Sequence, residues 1–440
     1  MKLFMKLFAL AAMSAAVASC DDTTGSGSGK PLTPDENKAK LDQVGSEIIS
    51  LVNPDNHEDF CRAVDKFIEY ADEGNLGSTI DEVNPTAIMA SMLTSLRDAA
   101  TKGDISAMMT KAIVKDYVYR VRDYYGIYEY DLSSKSWKYT GDDSKMEFRY
   151  SFDGKTVTAT AAVPKDASLY LISFTDSWYD DYEGEQHEDI YTVEIPEKTS
   201  FSVMQDDTRL ASAVINVDYR KGSHANVDIT YSVTDMNGDI DIDLADSEGH
   251  AEFSFNIGSR NLAYGHTDFS GYKMTDPDHV VNETENTVGT AEAETVILDE
   301  VRIYGKCSNV SEYIKEEDEL YDIFYAQFGY DYYWSEEYNK AYCDLFNESF
   351  TAELSYLPGK TKVASLLLRP YFNPDTGNWD SQMGTYTGGY DYEPVIQFES
   401  DESIVSIESY FSETNFGHLV DSVEDLAEIY KGYFPYCFGE

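Results

Sequence analysis

The sequence predicts an α+β protein: an N-terminal helical layer, then a large antiparallel β region, then a mixed helix/strand C-terminal region rich in aromatic residues. Three observations carry this. Apolar residues recur at helical spacing between Leu41 and Leu96. From Tyr117 to about Met274 they alternate with a period of two and are interrupted by turn residues. Beyond Met274 both patterns occur, with tyrosine and tryptophan crowded between them. The expected regions are residues 34–120, 121–275 and 276–440.

The first helix has a complete start signal. Thr33 is a capping residue, Pro34 fits the first helical position, and Glu36 sits where a capping-box acid belongs. Leu41, Val44, Ile48, Leu51 and Val52 then fall on one face. Asn53-Pro54 restarts a helix carrying Phe60, Val64, Phe67 and Ile68, which Gly74 closes. Asn84-Pro85 opens another with Ile88, Met92 and Leu96 in line, and a short helix is expected after Asp104.

The β region reads as hairpins. "GIYEYDLSSKSWKYTG" sets Tyr128, Tyr130, Trp137 and Tyr139 as cross-strand aromatics. "MEFRYSFDGKTVTATAAV" turns at Asp153-Gly154, and "VDITYSVTDMNGDIDIDLAD" is expected to turn at Asn237-Gly238. Residues 294–306 read as one strand and 308–348 as mainly helix, with Ser335-Glu336-Glu337 as a helix start. "TAELSY" and "TKVASLLLRPYF" read as strands, and "PVIQFES" with "SIVSIESYF" as a late hairpin. Ser422-Val423-Glu424-Asp425 reads as the start of a last helix.

Composition narrows the function classes. The chain has 440 residues, 42% hydrophobic and 14% aromatic, enough for a substantial core. Formal net charge is −48, which disfavours nucleic acid and anionic membrane surfaces by repulsion. Neutral or basic partners fit better. Cys61, Cys307, Cys343 and Cys437 are even in number but match no zinc spacing; disulfides and buried free thiols both fit. "GSGSGK" lacks the glycine spacing of a phosphate loop.

The N-terminus, "MKLFMKLFALAAMSAAVASC", has lysines followed by an apolar stretch too short to span a bilayer. Val17-Ala18-Ser19-Cys20 resembles the lipobox of bacterial lipoproteins. That resemblance implies a signal peptide over residues 1–19, lipidation of Cys20 by a diacylglycerol group on its thiol, cleavage before Cys20, and an acyl group such as palmitate on the new amino group. Residues 20–33 then form a flexible linker. Together with "LTPDENKAKLDQVGSEIISLV", "GIYEYDLSSKSWKYT" and the stretch from "PVIQFES" to "EDLAEIY", the chain resembles uncharacterised lipoproteins of the Bacteroidetes. The resemblance implies an outer-membrane anchor and, through Asp21-Asp22, display at the cell surface, with the periplasmic face as the alternative. It carries no catalytic residue.

No metal motif, nucleophile elbow or paired histidine spacing occurs. No cofactor is expected, apart from a divalent cation at one place. In "DSWYDDYEGEQHEDIY", Asp180, Asp181, Glu183 and His187 crowd an expected loop and could hold one. Asn237, Asp239, Asp241 and Asp243 imitate a calcium loop, but Ile242 stands where glycine is required, and the alternation reads as a strand with one wet face. The stronger pattern is aromatic: Tyr332, Tyr333 and Trp334 in one stretch, with Trp379, Tyr390 and Tyr392 in another, beside carboxylates. Ring faces stack on sugars and acids accept their hydroxyl protons; the same residues suit protein interfaces. The leading expectation is a non-catalytic lipoprotein binding a glycan or protein. A carrier of apolar ligands and a hydrolase with an acid pair are the alternatives, and the sequence sets no oligomeric state.

Overall fold

The computed structural model describes residues 32–74, 85–102, 118–180, 185–282, 288–357, 359, 361–377, 379–380 and 385–438. Helix α1 (Pro34–Leu51) begins as its capping pattern dictates. Thr33 Oγ1 accepts from the Glu36 N–H at 3.3 Å, and Glu36 Oε2 accepts from the Thr33 N–H at 2.8 Å. Two helix-start donors are thus satisfied reciprocally. A 3-10 turn (Pro54–Asn56) follows, then α2 (Glu58–Glu73) and α3 (Pro85–Lys102), whose Ile88, Met92 and Leu96 are buried. The helix expected after Asp104 lies outside the described residues.

Strands β1 (Gly126–Asp131) and β2 (Ser136–Thr140) form the expected hairpin, with Tyr128 opposite Tyr139 and Tyr130 opposite Trp137. β3 (Met146–Phe152) and β4 (Lys155–Ala162) turn at Asp153-Gly154, both in the left-handed region that Asp-Gly tolerates. β5 (Leu169–Asp180) and β6 (Glu185–Pro196) pair only with each other, as a separate two-stranded sheet. β7 (Lys198–Gln205), β8 (Thr208–Arg220), β9 (His224–Val233), β10 (Met236–Ala245), β11 (Glu248–Ile257) and β12 (Arg260–Gly271) continue the strand region.

The third hairpin corrects the expectation. The β9–β10 connection is Thr234-Asp235, with Thr234 at φ 52°, and Asn237-Gly238 lies inside β10. Packing displaced the Asn-Gly cue. A Cβ at Gly238 would stand 2.4 Å from the Ser254 carbonyl oxygen and 2.5 Å from the buried Tyr231 hydroxyl. Glycine is there for close approach, a common role inside strands.

After α4 (Pro277–Asn282), residues 294–306 are two strands rather than one: β13 (Val288–Ile297) and β14 (Val301–Cys307). The chain reverses at Leu298 and Asp299, at φ 51° and 62°. Leu298 is buried and carries no sequence signal for a turn, so the reversal was hidden. α5 (Val310–Phe328), a 3-10 segment (Gly329–Trp334) and α6 (Glu336–Ser349) follow. Ser335 caps α6 by accepting from the Tyr338 N–H, as expected.

β15 (Phe350–Tyr356), β16 (Thr361–Asn373), β17 (Trp379–Asp380), β18 (Thr385–Tyr386) and β19 (Gly389–Phe398) complete most of the strand set. The late hairpin is shorter than expected: β20 (Ile404–Ser406) pairs with β19, and Ser406 then caps helix α7 (Ile407–Tyr410). Helix α8 (Glu413–Tyr433) runs through Ser422, and a short α9 (Pro435–Phe438) follows. The expected start at Ser422 is therefore mid-helix. Buried Phe416, against Tyr410 and Phe411, anchors the chain upstream, and the one non-helical residue in α8 is Phe416.

The described residues divide into two compact units, each gathered from separate stretches. One takes its residues from Met1–Ser50, Leu244–Glu252 and Asn261–Asp421 and is called the α5–α6 unit below. Its strand order is β12-β13-β14-β15-β16-β19-β20. A core of Phe269, Met274, Ala291, Cys307 and Val310 lies there, flanked by Leu244, Val288, Ile314 and Phe350. The other takes Leu51–Asp243, Phe253–Arg260 and Ser422–Glu440 and is called the α2 unit. Its order is β2-β1-β3-β4-β7-β8-β9-β10, antiparallel from β3 to β9, with β1 parallel to β3. Phe67 of α2 meets Phe148 edge-on at 5.2 Å and Trp137 at 5.7 Å. Tyr150 donates to the Ala63 carbonyl at 2.7 Å, and Trp137 Nε1 donates to the Tyr70 carbonyl at 3.0 Å. The fold class is α+β, with a large antiparallel sheet and helices toward both ends of the described chain.

Candidate functional site

Within the α5–α6 unit, the second half of α5 leaves nearly every residue exposed. Tyr321, Tyr325 and Phe328 show their rings to solvent. Gly329, at φ 59°, ends the helix, and the 3-10 segment then presents Tyr330, Tyr333 and Trp334. Tyr330 is 77% exposed, the most open aromatic ring among the described residues. Tyr321 stacks on Tyr325 at 5.5 Å, and Tyr325 meets Tyr330 edge-on at 5.3 Å.

Two buried residues hold this surface in shape. Tyr332 is fully buried, with Tyr321 edge-on at 5.4 Å, Tyr333 at 3.9 Å and Tyr338 at 4.7 Å. Asn339 donates from Nδ2 to the Tyr333 carbonyl at 2.7 Å, the Ser335 carbonyl at 3.0 Å and the Tyr390 carbonyl at 3.2 Å. One side chain thus ties the 3-10 segment to β19. A Cβ at Gly389 would lie 2.8 Å from Trp334 Cβ, so only glycine lets this strand pass so close to the tryptophan. Tyr390 meets Phe372 at 5.7 Å, and Tyr392 meets Tyr342 at 4.8 Å. Tyr390 is held above the usual phenol range, first by its hydrogen bond with Glu336 and then by burial.

The predicted aromatic residues therefore separate. Tyr333, Trp334 and Tyr392 are exposed and Tyr390 is half-buried, all in the α5–α6 unit. Tyr332 is corrected: its ring faces inward as a packing residue and offers a ligand no surface. The reason is the 3-10 turn, which sends neighbouring side chains in different directions. The side chain of Trp379 lies outside the described residues. Tyr321, Tyr325 and Asn339 were missed, although Tyr321 and Tyr325 follow helical spacing with Phe328 and were legible as one stripe; Tyr330 belongs to the aromatic stretch that the sequence singles out.

The acidic candidates fare differently. Residues 176–180 and 185–191 belong to β5 and β6, not to a loop, with Trp178 opposite His187 and Asp180 opposite Glu185. Residues Asp181 and Glu183, and the side chains of Asp180 and His187, lie outside the described residues, as does Cys20. The calcium look-alike is a strand with its isoleucine face turned inward at Ile240, as its alternation implied. Among the described residues, no group of three His, Cys, Asp or Glu side chains is arranged to hold a metal ion. The cysteines Cys61, Cys307, Cys343 and Cys437 are free thiols; burial pushes the Cys61 and Cys343 thiols up to about 12.

Two polar clusters had no sequence signal. In the α2 unit, fully buried His57 holds the Tyr430 hydroxyl at Nδ1 (2.6 Å) and Asp235 Oδ1 at Nε2 (2.8 Å). Asn56 donates to the other Asp235 oxygen at 2.6 Å. Burial would raise the Asp235 carboxyl, but the hydrogen bonds from Asn56 and His57 hold it below the usual range. In the α5–α6 unit, His250 Nδ1 reaches Asp268 at 2.6 Å and Nε2 reaches Glu252 at 2.8 Å. Those two carboxylates raise the His250 pKa.

No family model, curated protein or solved structure matches the chain. Among the described residues, no helix is long and apolar enough to cross a membrane. The functional reading therefore rests on the residues themselves.

Proposed function

We propose that the protein is a lipid-anchored envelope protein, displayed at the cell surface, that binds a glycan on the aromatic platform of its α5–α6 unit. The carrying observation is the run of exposed rings Tyr321, Tyr325, Tyr330, Tyr333 and Trp334, fixed from beneath by Tyr332 and Asn339. Exposed apolar surface in a large patch marks an interaction site more often than chance placement. Rigid rings lose little conformational entropy on binding, and phenol hydroxyls at their tips can exchange hydrogen bonds with sugar hydroxyls.

A glycan array probed with the purified full chain tests the ligand. Binding that disappears in Tyr330→Ala and Trp334→Ala supports the reading, and a blank array removes it. The anchor rests on Val17-Ala18-Ser19-Cys20. Cys20→Ala should abolish metabolic fatty-acid labelling and membrane retention; a variant still labelled and membrane-bound would refute the anchor. Exposure to protease added to intact cells distinguishes surface from periplasmic display.

A further inference from the structure

The platform is strongly biased in charge, and that bias narrows the ligand. Residues 310–349, which build it, contain eleven acidic side chains and two lysines. Both lysines are already engaged: Lys315 with Glu319 at 3.5 Å and Lys340 with Asp344 at 3.1 Å. Asp322, Asp331, Glu336 and Glu337 are exposed in the same short stretch as the open rings. On β16 and β19 nearby, Arg369 is paired with Glu393.

Each ring face is negative and attracts a cation, most strongly for tryptophan. Exposed carboxylates in the same stretch add Coulomb attraction that salt screens. A uronate or sialylated sugar would meet repulsion from both. A neutral sugar would use the rings alone. A sugar carrying ammonium groups would use rings and carboxylates together.

We propose that the platform takes an amine-bearing saccharide, a glucosamine oligomer, with its ring faces on Tyr330, Tyr333 and Trp334 and its ammonium groups among the surrounding carboxylates. This rests on the glycan reading above and sharpens it.

The test is calorimetric titration of the full chain with a glucosamine hexamer, its N-acetylated counterpart and a uronate oligomer of equal length, at low and high salt. The glucosamine hexamer should bind about tenfold more tightly than the N-acetylated one at low salt, and the advantage should shrink at ~0.5 M salt. Glu336→Gln with Glu337→Gln should narrow the gap between the two hexamers. Trp334→Ala with Tyr330→Ala should weaken both. Equal affinity, or tighter binding of the N-acetylated hexamer, overturns the amine preference and leaves the glycan reading standing. Glucosamine binding undiminished by Trp334→Ala with Tyr330→Ala also overturns it, because attraction to the acidic chain at large would then suffice. Binding by none of the three, together with a blank array, removes the glycan reading itself.

Discussion

Both units are rich in aromatic rings, yet one cluster in each uses them in opposite ways. In the α2 unit Phe67, Trp137, Phe148 and Tyr150 are buried, and the polar tips find fixed partners in the Ala63 and Tyr70 carbonyls. Tyr130 likewise donates to Glu73 at 3.0 Å. In the α5–α6 unit Tyr321, Tyr325 and Tyr330 lean on one another and face water, and exposed Tyr333 leans on buried Tyr332. A buried tyrosine or tryptophan is compatible with a core when its hydroxyl or indole N–H is satisfied. Where rings stack at the surface instead, their area remains for a partner. Ring content alone does not separate these uses; whether each ring turns toward the core or toward water does.

The contrast can be broken by substitution. Phe67→Ala should destabilise the α2 unit by ~3–5 kcal/mol, since a well-packed site collapses poorly. Urea denaturation would measure it, and a loss below ~1 kcal/mol would mean that Phe67 is not a core anchor. His57→Ala should cost about 3 kcal/mol, because it opens a cavity beside the buried Tyr430 hydroxyl, leaves that hydroxyl without His57, and leaves Asp235 Oδ1 only the longer bond from Thr234. Tyr330→Ala should change stability by less than ~0.5 kcal/mol while removing ligand binding. A large stability loss there would make the platform part of a core after all.

Acid titration sharpens the same comparison. Asp235 has a depressed carboxyl pKa in the folded state, held by Asn56 and His57 against the effect of burial. It therefore contributes stability that is fully present above the unfolded value near ~4 and is lost as pH falls through the folded value. Asp235→Asn should flatten the acid limb of a stability–pH curve. The smallest effect belongs to His250, whose pKa is raised by Asp268 and Glu252. Its contribution is present below the unfolded value near ~6.5 and is lost as pH rises through the folded one. Because these groups are largely exposed, solvent screening keeps that contribution small. His250→Gln should remove a shallow slope that begins near the unfolded value of ~6.5 and runs upward in pH, detectable by thermal melts across a pH series.

Much of the fold was legible where local chemistry decided it. Thr33-Pro34-Asp35-Glu36 and Asp153-Gly154 named their structures outright. Reading failed where tertiary contacts overrode the local cue. Gly238 serves Tyr231 rather than a turn, and Leu298 reverses the chain while buried. The aromatic platform was half legible: the stretch was found, but the inward turn of Tyr332 depends on a 3-10 segment whose pitch the composition does not reveal. The His57 cluster was beyond reach, because its partners lie 178 and 373 residues away in sequence.

That last separation has a consequence for how the chain is made. The α2 unit draws on Leu51–Asp243 and on residues from Ser422 onward, and Asp65 accepts the backbone N–H groups of Tyr436 and Cys437 at 3.1 and 3.0 Å. A growing chain holding His57 and Asp65 has no Tyr430, Tyr436 or Cys437 to receive them. At ~5–20 residues per second, the interval between synthesis of His57 and of Tyr430 is roughly 20–75 s. Throughout that interval the unit exists without its closing helix. Its assembly is a late event that follows translation of nearly all the described chain.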